Sequence, residues 1–444
     1  MRILSITAGA AGMYCGSCLR DNALAVELLG RGHEVSLVPV YTPTRVDERN
    51  VSSGPVLFGG ISVYLQQHSA LFRKTPRLLD RLWDSPRVIS AFANRAVSTD
   101  ASQLGDMTLS MLRGEHGVLR KEFDKLADWI HAEPLPDVIN IPNSMLIALA
   151  EPLKRAVNRP VCCTLQGEEL FLNGLPPTFR ERAIEAIRGQ VRHVDRFIAV
   201  SDYCAEYMGT LLAIPRERMA VVPLGIAMEG YGPSRPRPDV FTVGYFARVA
   251  PEKGLHVLAD AYIRFKHRVG DAHTRLRAAG YLAPGPSRYL DGVRKTLAAA
   301  GLEQDFTYEG ELDRTGKLAF LRELDLLSVP ATYDEPKGMF LIEAMASGTP
   351  VVQPRRGAFT EVVTRTGGGV LVDADNAESL ADGLHALWSE RSLRHSLGER
   401  AAAGARQHYS IALSADRLLA VYESLLGLQV ATSPPPHTTV SLPC

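Results

Sequence analysis

Short apolar runs alternate with segments of helical periodicity along most of this 444-residue chain, and this alternation limits the possible folds most strongly. Strand patterns separated by helix patterns indicate parallel sheets, because a parallel strand is reached only through a crossover connection. The pattern occurs twice, before and after the proline-rich segment 231–238. We therefore expect an α/β fold with two doubly wound domains that face a central cleft.

The expected strands are short in both halves. In the first half they are 3–7, 34–41, 138–141, 161–165, 196–200 and 219–222. In the second half they are 241–247, 274–281, 306–309, 326–330, 351–353 and 370–372. The first helix is expected over 19–29, between a glycine-rich turn at 8–17 and the stop signals Gly30 and Gly32.

The domain boundaries follow from the same pattern. We expect a first domain over 1–230, a hinge over 231–240 and a second domain over 241–410. Residues 58–130 interrupt the alternation and are expected to form a mainly helical insertion. A C-terminal helix over 411–430 is expected to cross back to the first domain, and the tail 432–444 is expected to be disordered.

The charge balance limits the partners. Lysine plus arginine and aspartate plus glutamate both number 49, so the excess of positive charge typical of nucleic-acid binding is missing. The sequence shows neither a signal-peptide core nor about 20 consecutive apolar residues, which predicts a cytoplasmic protein. Basic and aromatic residues alternate over 71–97, a pattern that suits peripheral contact with the inner membrane face. Pro76 and Pro86 would interrupt a long amphipathic helix, so we favour a helical insertion whose basic residues are solvated.

Cys15 and Cys18 form a C-x-x-C motif beside the glycine-rich turn. Such a motif is a redox pair or half of a zinc site, but Cys162 and Cys163 are adjacent and Cys204 is single, so the sequence offers no second pair. Six cysteines in a chain of this length do not suggest a disulfide framework. We interpret the motif as reduced thiols in a loop and expect no metal site.

Two basic residues open the second half. Arg248 follows the apolar run 241–247 at an expected strand end, and Lys253 precedes the next helix. Ligands of open α/β sheets bind at such strand ends, and two cations there can neutralise a diphosphate. On position alone, an ordinary surface turn explains both residues equally well.

The strongest local motif lies within 330–352. Glu335 follows an apolar strand pattern, and Glu343 lies eight residues later in an expected helix. Carboxylates in these places can accept hydrogen bonds from sugar hydroxyls. Pro336 suits the first turn of a helix, and Gly338 allows a ligand to approach the backbone. The alternative is a solvated glutamate at a helix N-terminus with a second, buried capping glutamate.

The sequence resembles the family 4 retaining glycosyltransferases, which have two Rossmann-like lobes and the GT-B fold. The most specific likeness is an E-x7-E pattern formed by Glu335 and Glu343 and followed by AMASGTPVV. Arg248 with Lys253 is similar to the diphosphate-binding pair of the family, and 20–35 is similar to its first helix and second strand. The resemblance covers nearly the whole chain except the region 58–130.

The resemblance implies a hexosyltransferase that needs no cofactor. Arg248 and Lys253 would hold the diphosphate of a nucleotide-sugar donor, Glu335 the hexose and Glu343 the ribose. The sugar would pass with retention of configuration to a sugar or glycan acceptor, whose identity stays open. The remaining site residues that we expect are Gly338, Met339, Phe340, Gly357 and Thr360 for the donor, and Gly12, Gly16 and Gln166 for the acceptor side of the cleft.

Three turns depart from the pattern of the family. Pro-Lys-Gly follows Glu335 where many members have Gly-Phe-Gly, Gln166 replaces a frequent histidine, and Leu224 replaces the asparagine of a Pro-Asn-Gly turn. Glutamine can hydrogen-bond a sugar hydroxyl but cannot act as a base near neutral pH. Two alternatives stay open: a sugar-nucleotide-binding regulator without turnover, and a nucleotide-sugar epimerase that would use Glu168 or Glu169 as acid or base.

Overall fold

The computed structural model describes residues 1–9, 14–53, 56, 58, 104–236, 239–283 and 287–428. Gly12, the basic stretch 71–97 and the tail 432–444 lie outside the described residues, as do positions 237 and 238 of the expected hinge. Within the described part, the chain forms two separate six-stranded sheets.

The first sheet consists of β1 (Arg2–Thr7), β2 (Glu34–Pro39), β3 (Val138–Ile141), β4 (Val161–Leu165), β5 (Arg196–Ala199) and β6 (Met219–Val221). The strand order is β2-β1-β3-β4-β5-β6, and every neighbouring pair is parallel. Every residue of β3 and β4 is buried, as expected for parallel strands covered by helices on both faces.

The second sheet repeats this arrangement. It consists of β7 (Phe241–Phe246), β8 (Thr274–Ala279), β9 (Phe306–Tyr308), β10 (Leu326–Leu327), β11 (Val351–Pro354) and β12 (Gly369–Val372). The order is β12-β11-β10-β7-β8-β9, again with parallel pairs. The prediction of two doubly wound α/β domains is confirmed.

Helices cover both sheets. Those of the first lobe are α1 (Gly16–Gly30), α2 (Gly105–Leu112), α3 (Arg120–Ala132), α4 (Ala150–Val157), α5 (Glu169–Gly174), α6 (Pro177–Gln190) and α7 (Asp202–Leu212). Those that follow β7 are α8 (Leu255–Val269), α9 (Arg288–Ala299), α10 (Arg314–Arg322), α11 (Met339–Ala346), α12 (Gly357–Thr366), α13 (Ala377–Ser389), α14 (Arg391–His408) and α15 (Ile411–Leu426).

The start of α1 corrects one expectation. The helix begins at Gly16, three residues before the expected start, because Cys15 is extended (φ −105°, ψ 125°) and acts as the N-cap. Cys18 therefore lies in the helix and not in a loop, although both cysteines are free thiols. Gly32 at φ 82° follows the end of the helix, as its sequence position predicted.

Two chain crossings run side by side between the lobes. The Ile226 N–H donates to the Tyr409 carbonyl at 3.0 Å, and the Ile411 N–H donates to the Ile226 carbonyl at 2.9 Å. Residues 231–236 then pack on the second lobe, where the Ser234 hydroxyl donates to the Leu324 carbonyl at 3.1 Å. The two crossings between the lobes are therefore hydrogen-bonded to each other.

The last helix belongs to the core of the first lobe. Leu418 and Tyr422 of α15 are buried with Leu24 of α1 and Val138 of β3. An ion pair of 2.5 Å between Arg31 and Asp416 fixes the same contact at the surface. Among the described residues, none of the helices combines the length and hydropathy that a membrane crossing needs.

Candidate active site

The topology of the second sheet explains where a site can form. The strand order reverses between β7 and β10, which are neighbours through the pairs Leu326–Val243 and Leu327–Gly244. At such a reversal the two following loops leave in opposite directions and open a crevice at the carboxyl ends of the strands. Lys253 lies on the loop after β7, and Glu335 lies on the loop after β10.

These two loops bring a lysine, a tyrosine and a glutamate together. The Lys253 ammonium pairs with the Glu335 carboxylate and donates to the Tyr333 hydroxyl at 2.6 Å. The Tyr333 hydroxyl donates to the same carboxylate. The Lys253 side chain is 13% exposed, and its ammonium lies 5.0 Å and 5.4 Å from the centres of the Tyr333 and Phe340 rings. The ion pair is therefore enclosed by aromatic side chains.

The contacts within this group lower the pKa of Glu335 and raise the pKa of Tyr333. Burial by itself would raise the pKa of Glu335, but the charge and hydrogen bond of Lys253, followed by the Tyr333 hydroxyl, lower it to about 2. Burial, and then the charge of Glu335, raise the pKa of Tyr333 well above its ordinary value. At neutral pH the group thus contains an ionised carboxylate and a neutral phenol that remains a hydrogen-bond donor.

Two glycines allow these loops to approach each other. Gly254 has φ 75°, and a β-carbon there would lie 1.9 Å from the Pro330 carbonyl oxygen. Gly357, the first residue of α12, has φ 49°, and a β-carbon there would lie 2.6 Å from the Glu335 carbonyl oxygen. Only glycine fits such positions without moving the loop that carries Glu335.

The segment after Glu335 corrects a second expectation. Helix α11 begins at Met339, so Pro336 lies before the helix and not in its first turn. Gly338 has φ 68° and acts as the N-cap, and this left-handed conformation accounts for the glycine. The Pro336 carbonyl accepts a hydrogen bond of 2.8 Å from the Ser201 hydroxyl of the first lobe. The Pro-Lys-Gly turn is therefore a contact between the lobes.

Arg248 does not join the Lys253–Glu335 pair. Its guanidinium pairs with Glu252, four residues later, and its side chain is 42% exposed. The charge of Arg248 opposes the rise in the pKa of Tyr333, and the exposed guanidinium is the outer of the two cations beside this group. The structure thus brings one of the two expected diphosphate ligands to Glu335 and leaves the other at the entrance.

Glu343 belongs to a second buried group. Its Oε1 accepts from the Lys317 ammonium at 2.6 Å and from the Tyr231 hydroxyl at 3.1 Å. Lys317 also pairs at 2.5 Å with Asp47 of the first lobe. Burial alone would lower the pKa of Lys317, but the charges of Glu343 and Asp47 raise it, so the lysine stays charged. This group links Glu343 to the other lobe.

The other expected donor residues surround the Glu335 loop. Phe340 is buried and meets the Phe359 ring edge to face, with ring centres 5.8 Å apart. Met339 and Thr360 are partly exposed, at the start of α11 and in the first turn of α12. Within the described part of the chain, the Lys253 ammonium forms no hydrogen bond with Phe340, Met339 or Thr360.

On the first lobe, two of the three expected cleft residues are described. Gly16 is the first residue of α1, and a β-carbon there would lie 3.9 Å from the Lys337 ammonium nitrogen. The Gln166 side chain is buried, and its amide nitrogen donates to the Pro142 carbonyl at 2.8 Å. Both residues therefore lie at the carboxyl ends of strands in the first sheet, on the side that meets the second lobe.

Tyr333, Lys317 and Lys337 are contact residues that the sequence patterns did not identify. Lys337 crosses the cleft and donates to the Ser17 hydroxyl at 2.9 Å. Its position in the unusual Pro-Lys-Gly turn was the one signal that could have identified it. Tyr333 and Lys317 carried no such signal, because a tyrosine near a strand end and a lysine in a helix are both common.

The two halves of the chain match different family models. Residues 108–229 match the model described as Glycosyltransferase Family 4, and residues 233–403 match the model described as Glycosyl transferases group 1. The first match lies within the lobe of the first sheet. The second covers all six strands of the second sheet and the loops that hold Lys253 and Glu335.

Curated relatives agree with these matches. The D-inositol 3-phosphate glycosyltransferase of Kribbella flavida is 27% identical over 53% of this chain and 57% of its own length. The phosphatidyl-myo-inositol mannosyltransferase of Mycobacterium tuberculosis is 31% identical over 52% of this chain and 60% of its own length. The chain thus spans little more than half the length of the curated relatives it matches.

Solved structures share the whole two-lobed arrangement. The sucrose-phosphate synthase of Thermosynechococcus elongatus is 17% identical, with a TM-score of 0.70 over 96% of this chain and 99% of its own. The Anabaena protein HepE in complex with UDP is 18% identical, with a TM-score of 0.66 over 96% of this chain and 100% of its own. The chain thus has the GT-B fold of these structures and carries two glycosyltransferase domains, one of Glycosyltransferase Family 4 over 108–229 and one of Glycosyl transferases group 1 over 233–403.

Proposed function

We propose that this chain transfers a hexose from a nucleoside-diphosphate sugar to a hydroxyl group of an acceptor, with retention of configuration and without a metal. The buried Lys253–Glu335 pair at the strand-order reversal of the second sheet carries this proposal. The UDP bound to Anabaena HepE supports a nucleoside diphosphate as the leaving group. The two relatives named above support an acceptor that carries several hydroxyl groups.

Lys253 and Arg248 would bind different parts of the diphosphate. Lys253 would meet the phosphate oxygens deep in the crevice, where a fixed cation stabilises the charge that grows on the leaving diphosphate. Arg248, at the rim, would exchange Glu252 for the outer phosphate, because a guanidinium binds phosphate through two parallel hydrogen bonds. This arrangement supplies the neutralisation that a metal ion provides in other transferases.

Glu335 would hold the hexose. Its ionised carboxylate can only accept hydrogen bonds, so it suits sugar hydroxyls, and its charge supports the positive charge that develops at the anomeric carbon. Within the described residues, both hydrogen bonds to the Glu343 carboxylate end on Oε1, so Oε2 can accept from a ribose hydroxyl. The two glutamates would thus hold opposite ends of the donor.

The reaction then needs no nucleophilic side chain. The bond between the anomeric carbon and the diphosphate oxygen breaks, and the acceptor oxygen bonds to the anomeric carbon on the same face. The proton of the acceptor hydroxyl passes to the departing diphosphate. Closure of the lobes about the crossings at 226 and 410 would exclude water that would otherwise hydrolyse the donor.

Nucleotide release and product analysis test this proposal. UDP-glucose, UDP-galactose and GDP-mannose are incubated with a panel of sugar and inositol acceptors, using the parent, Lys253→Ala, Glu335→Gln and the control Lys266→Ala. Lys266 forms an ion pair of 3.5 Å with Asp305, away from the crevice. We expect losses in kcat of at least about 100-fold for the first two variants and none for the control. Activity within threefold of the parent in both, or an inverted product by NMR, would contradict the proposal.

A further inference from the structure

The turn after β4 carries buried polar atoms that the described residues leave without partners. Glu169 is 4% exposed, and neither of its carboxyl oxygens has a hydrogen-bond partner there. Gln166 is 3% exposed, and its amide oxygen also lacks a partner in the described part. Buried polar groups are nearly always hydrogen-bonded, since leaving one unpaired costs folding free energy. These atoms therefore point to a ligand.

The neighbouring glutamate shows that the turn itself does not need Glu169. The two oxygens of Glu168 accept from the Ser144 N–H at 2.9 Å and from the Gln166 N–H at 2.8 Å. Glu168 thus ties together the loops that follow β3 and β4. Glu169, the first residue of α5, joins neither of these loops by its carboxyl oxygens within the described part of the chain.

The turn faces the donor side of the cleft. A β-carbon on Gly167 would lie 3.2 Å from a Pro336 ring carbon and 3.5 Å from the Lys337 side chain. The charges of Lys337 and Glu335 both act on the Glu169 carboxyl. Glu169 therefore lies across the cleft from the loop that carries Glu335, on the lobe opposite the Lys253–Glu335 pair.

The two facing carboxyl groups differ in protonation. Burial, and then the charge of Glu168, raise the pKa of Glu169 to about 8, so most of it is neutral at pH 7. A neutral carboxyl group both donates and accepts hydrogen bonds, whereas the ionised Glu335 only accepts. The titratable and charged groups around Glu169 are Glu168, Lys337, Glu335, Tyr203, Tyr333 and Cys204.

We propose that Glu169, with the amide oxygen of Gln166, binds hydroxyl groups of an uncharged sugar or cyclitol ring and determines specificity for it. A protonated carboxyl suits a ring hydroxyl because it can donate one bond and accept another. Two unpaired carboxyl oxygens and an amide oxygen would disfavour a phosphate in the same place. The inference rests on the proposed function, since the ring lies in the same cleft as the donor.

The ring belongs either to the hexose of the donor or to the acceptor, and three variants distinguish the two sources. Glu169→Leu removes all hydrogen bonding, Glu169→Gln keeps a neutral group that donates and accepts, and Glu185→Leu is a control at an exposed position of α6. Calorimetry measures the affinities for UDP, GDP, UDP-glucose and GDP-mannose. Kinetics then measure donor hydrolysis in water and the KM of the best acceptor among myo-inositol, methyl α-mannoside and methyl α-glucoside.

If Glu169 binds the donor hexose, Glu169→Leu weakens binding of the nucleotide sugar at least tenfold and leaves binding of the free nucleotide unchanged. If Glu169 binds the acceptor, donor affinity and hydrolysis stay unchanged and the acceptor KM rises at least tenfold. Glu169→Gln stays within about threefold of the parent in either case. The inference is overturned if Glu169→Leu behaves like the parent in all of these measurements. It is also overturned if Glu169→Leu and Glu169→Gln lose affinity or activity equally.

Two further readouts keep the outcome clear. We expect Glu169→Leu to have a melting temperature no lower than the parent, because it removes an unpaired buried polar group. Should that variant fail to fold, the pH profile of Glu169→Gln decides: the parent loses kcat/KM above about pH 8 as Glu169 ionises, and the variant does not. An identical alkaline decrease in both overturns the inference. If the parent binds no nucleotide at all, the proposed function fails instead.

Discussion

The Lys253 ammonium and the Glu335 carboxylate form a buried ion pair although 82 positions separate them along the chain. The strand-order reversal between β7 and β10 brings their loops together, and Gly254 and Gly357 permit the close approach. The pair is a charged site that the second lobe builds by itself. Its stability and its chemistry can therefore be tested separately.

Removing one member of the pair should destabilise the protein more than removing both. Lys253→Met leaves the Glu335 carboxylate buried without its cation, which we expect to lower the free energy of unfolding by about 3–5 kcal/mol. The double variant Lys253→Met, Glu335→Gln buries no charge and should recover part of this loss. Urea denaturation of the parent, both single variants and the double variant gives the coupling energy.

The expected coupling is about 1–3 kcal/mol, as for groups in direct contact. Arg264→Met, which breaks an exposed pair with Glu378, serves as the control and should cost less than about 1 kcal/mol. Strictly additive losses would show that Lys253 and Glu335 do not interact in solution.

Glu335 should also make stability depend on pH in the acid range. Its pKa is about 2 in the folded protein, below the ordinary value of 4.5 expected for the unfolded chain. The carboxylate therefore contributes stability that is fully present above about pH 4.5 and is lost as pH falls from there towards 2. The lowered pKa of Glu335 thus adds on the order of 3 kcal/mol to the free energy of unfolding at neutral pH.

Urea denaturation between pH 2.5 and 7 measures this effect. The stability difference between the parent and Glu335→Gln should be largest above pH 5 and should shrink as the pH falls. A difference that stays constant across this range would mean that the pKa of Glu335 is not lowered in the folded protein.

Much of this architecture could be predicted from the sequence, because each element leaves a local signal. The apolar runs 138–141 and 161–165 became strands with the expected ends, since fully buried strands show an uninterrupted apolar pattern. The end of β10 could not be predicted from the sequence. Its pairing with β7 and β11 ends at Leu327, but the apolar pattern continues beyond that residue. Local patterns predicted the elements better than their ends.

The sequence offered candidate residues for the site but not the contacts between them. The E-x7-E pattern identified Glu335 and Glu343, yet only the fold shows that one pairs with Lys253 and the other with Lys317 of α10. Such pairings depend on which loops meet across the sheet and the cleft. The unpaired carboxyl of Glu169 was likewise invisible, because hydrogen-bond partners cannot be read from sequence.

Two glycine substitutions should have opposite effects on stability. Gly254→Ala places a β-carbon 1.9 Å from the Pro330 carbonyl oxygen at φ 75°, which should cost more than about 1 kcal/mol and disturb the Lys253 loop. Gly292 lies within α9, and a β-carbon there would meet no neighbouring atom within 4 Å. Gly292→Ala should therefore stabilise the protein by about 0.5–1 kcal/mol. Thermal denaturation measures both, and a neutral Gly254→Ala would contradict the loop geometry.

The contact between Asp47 and Lys317 should hold the lobes together. Asp47→Asn removes one of the two carboxylates on the buried ammonium, so we expect a larger radius of gyration by small-angle X-ray scattering without nucleotide. A saturating nucleoside diphosphate should restore the smaller value. Asp260→Asn, at an exposed position of α8, is the control. Equal radii for the parent and Asp47→Asn would show that this contact does not control closure.

Calorimetric titration of the parent and Lys253→Ala with UDP and GDP shows directly whether a nucleoside diphosphate binds beside Lys253. We expect the parent to bind at least one of them and Lys253→Ala to bind it at least about tenfold more weakly, since the variant lacks the buried cation. Equal affinity in the two proteins, or no binding of either nucleotide to a folded parent, would contradict the placement of the donor diphosphate beside Lys253 and Glu335.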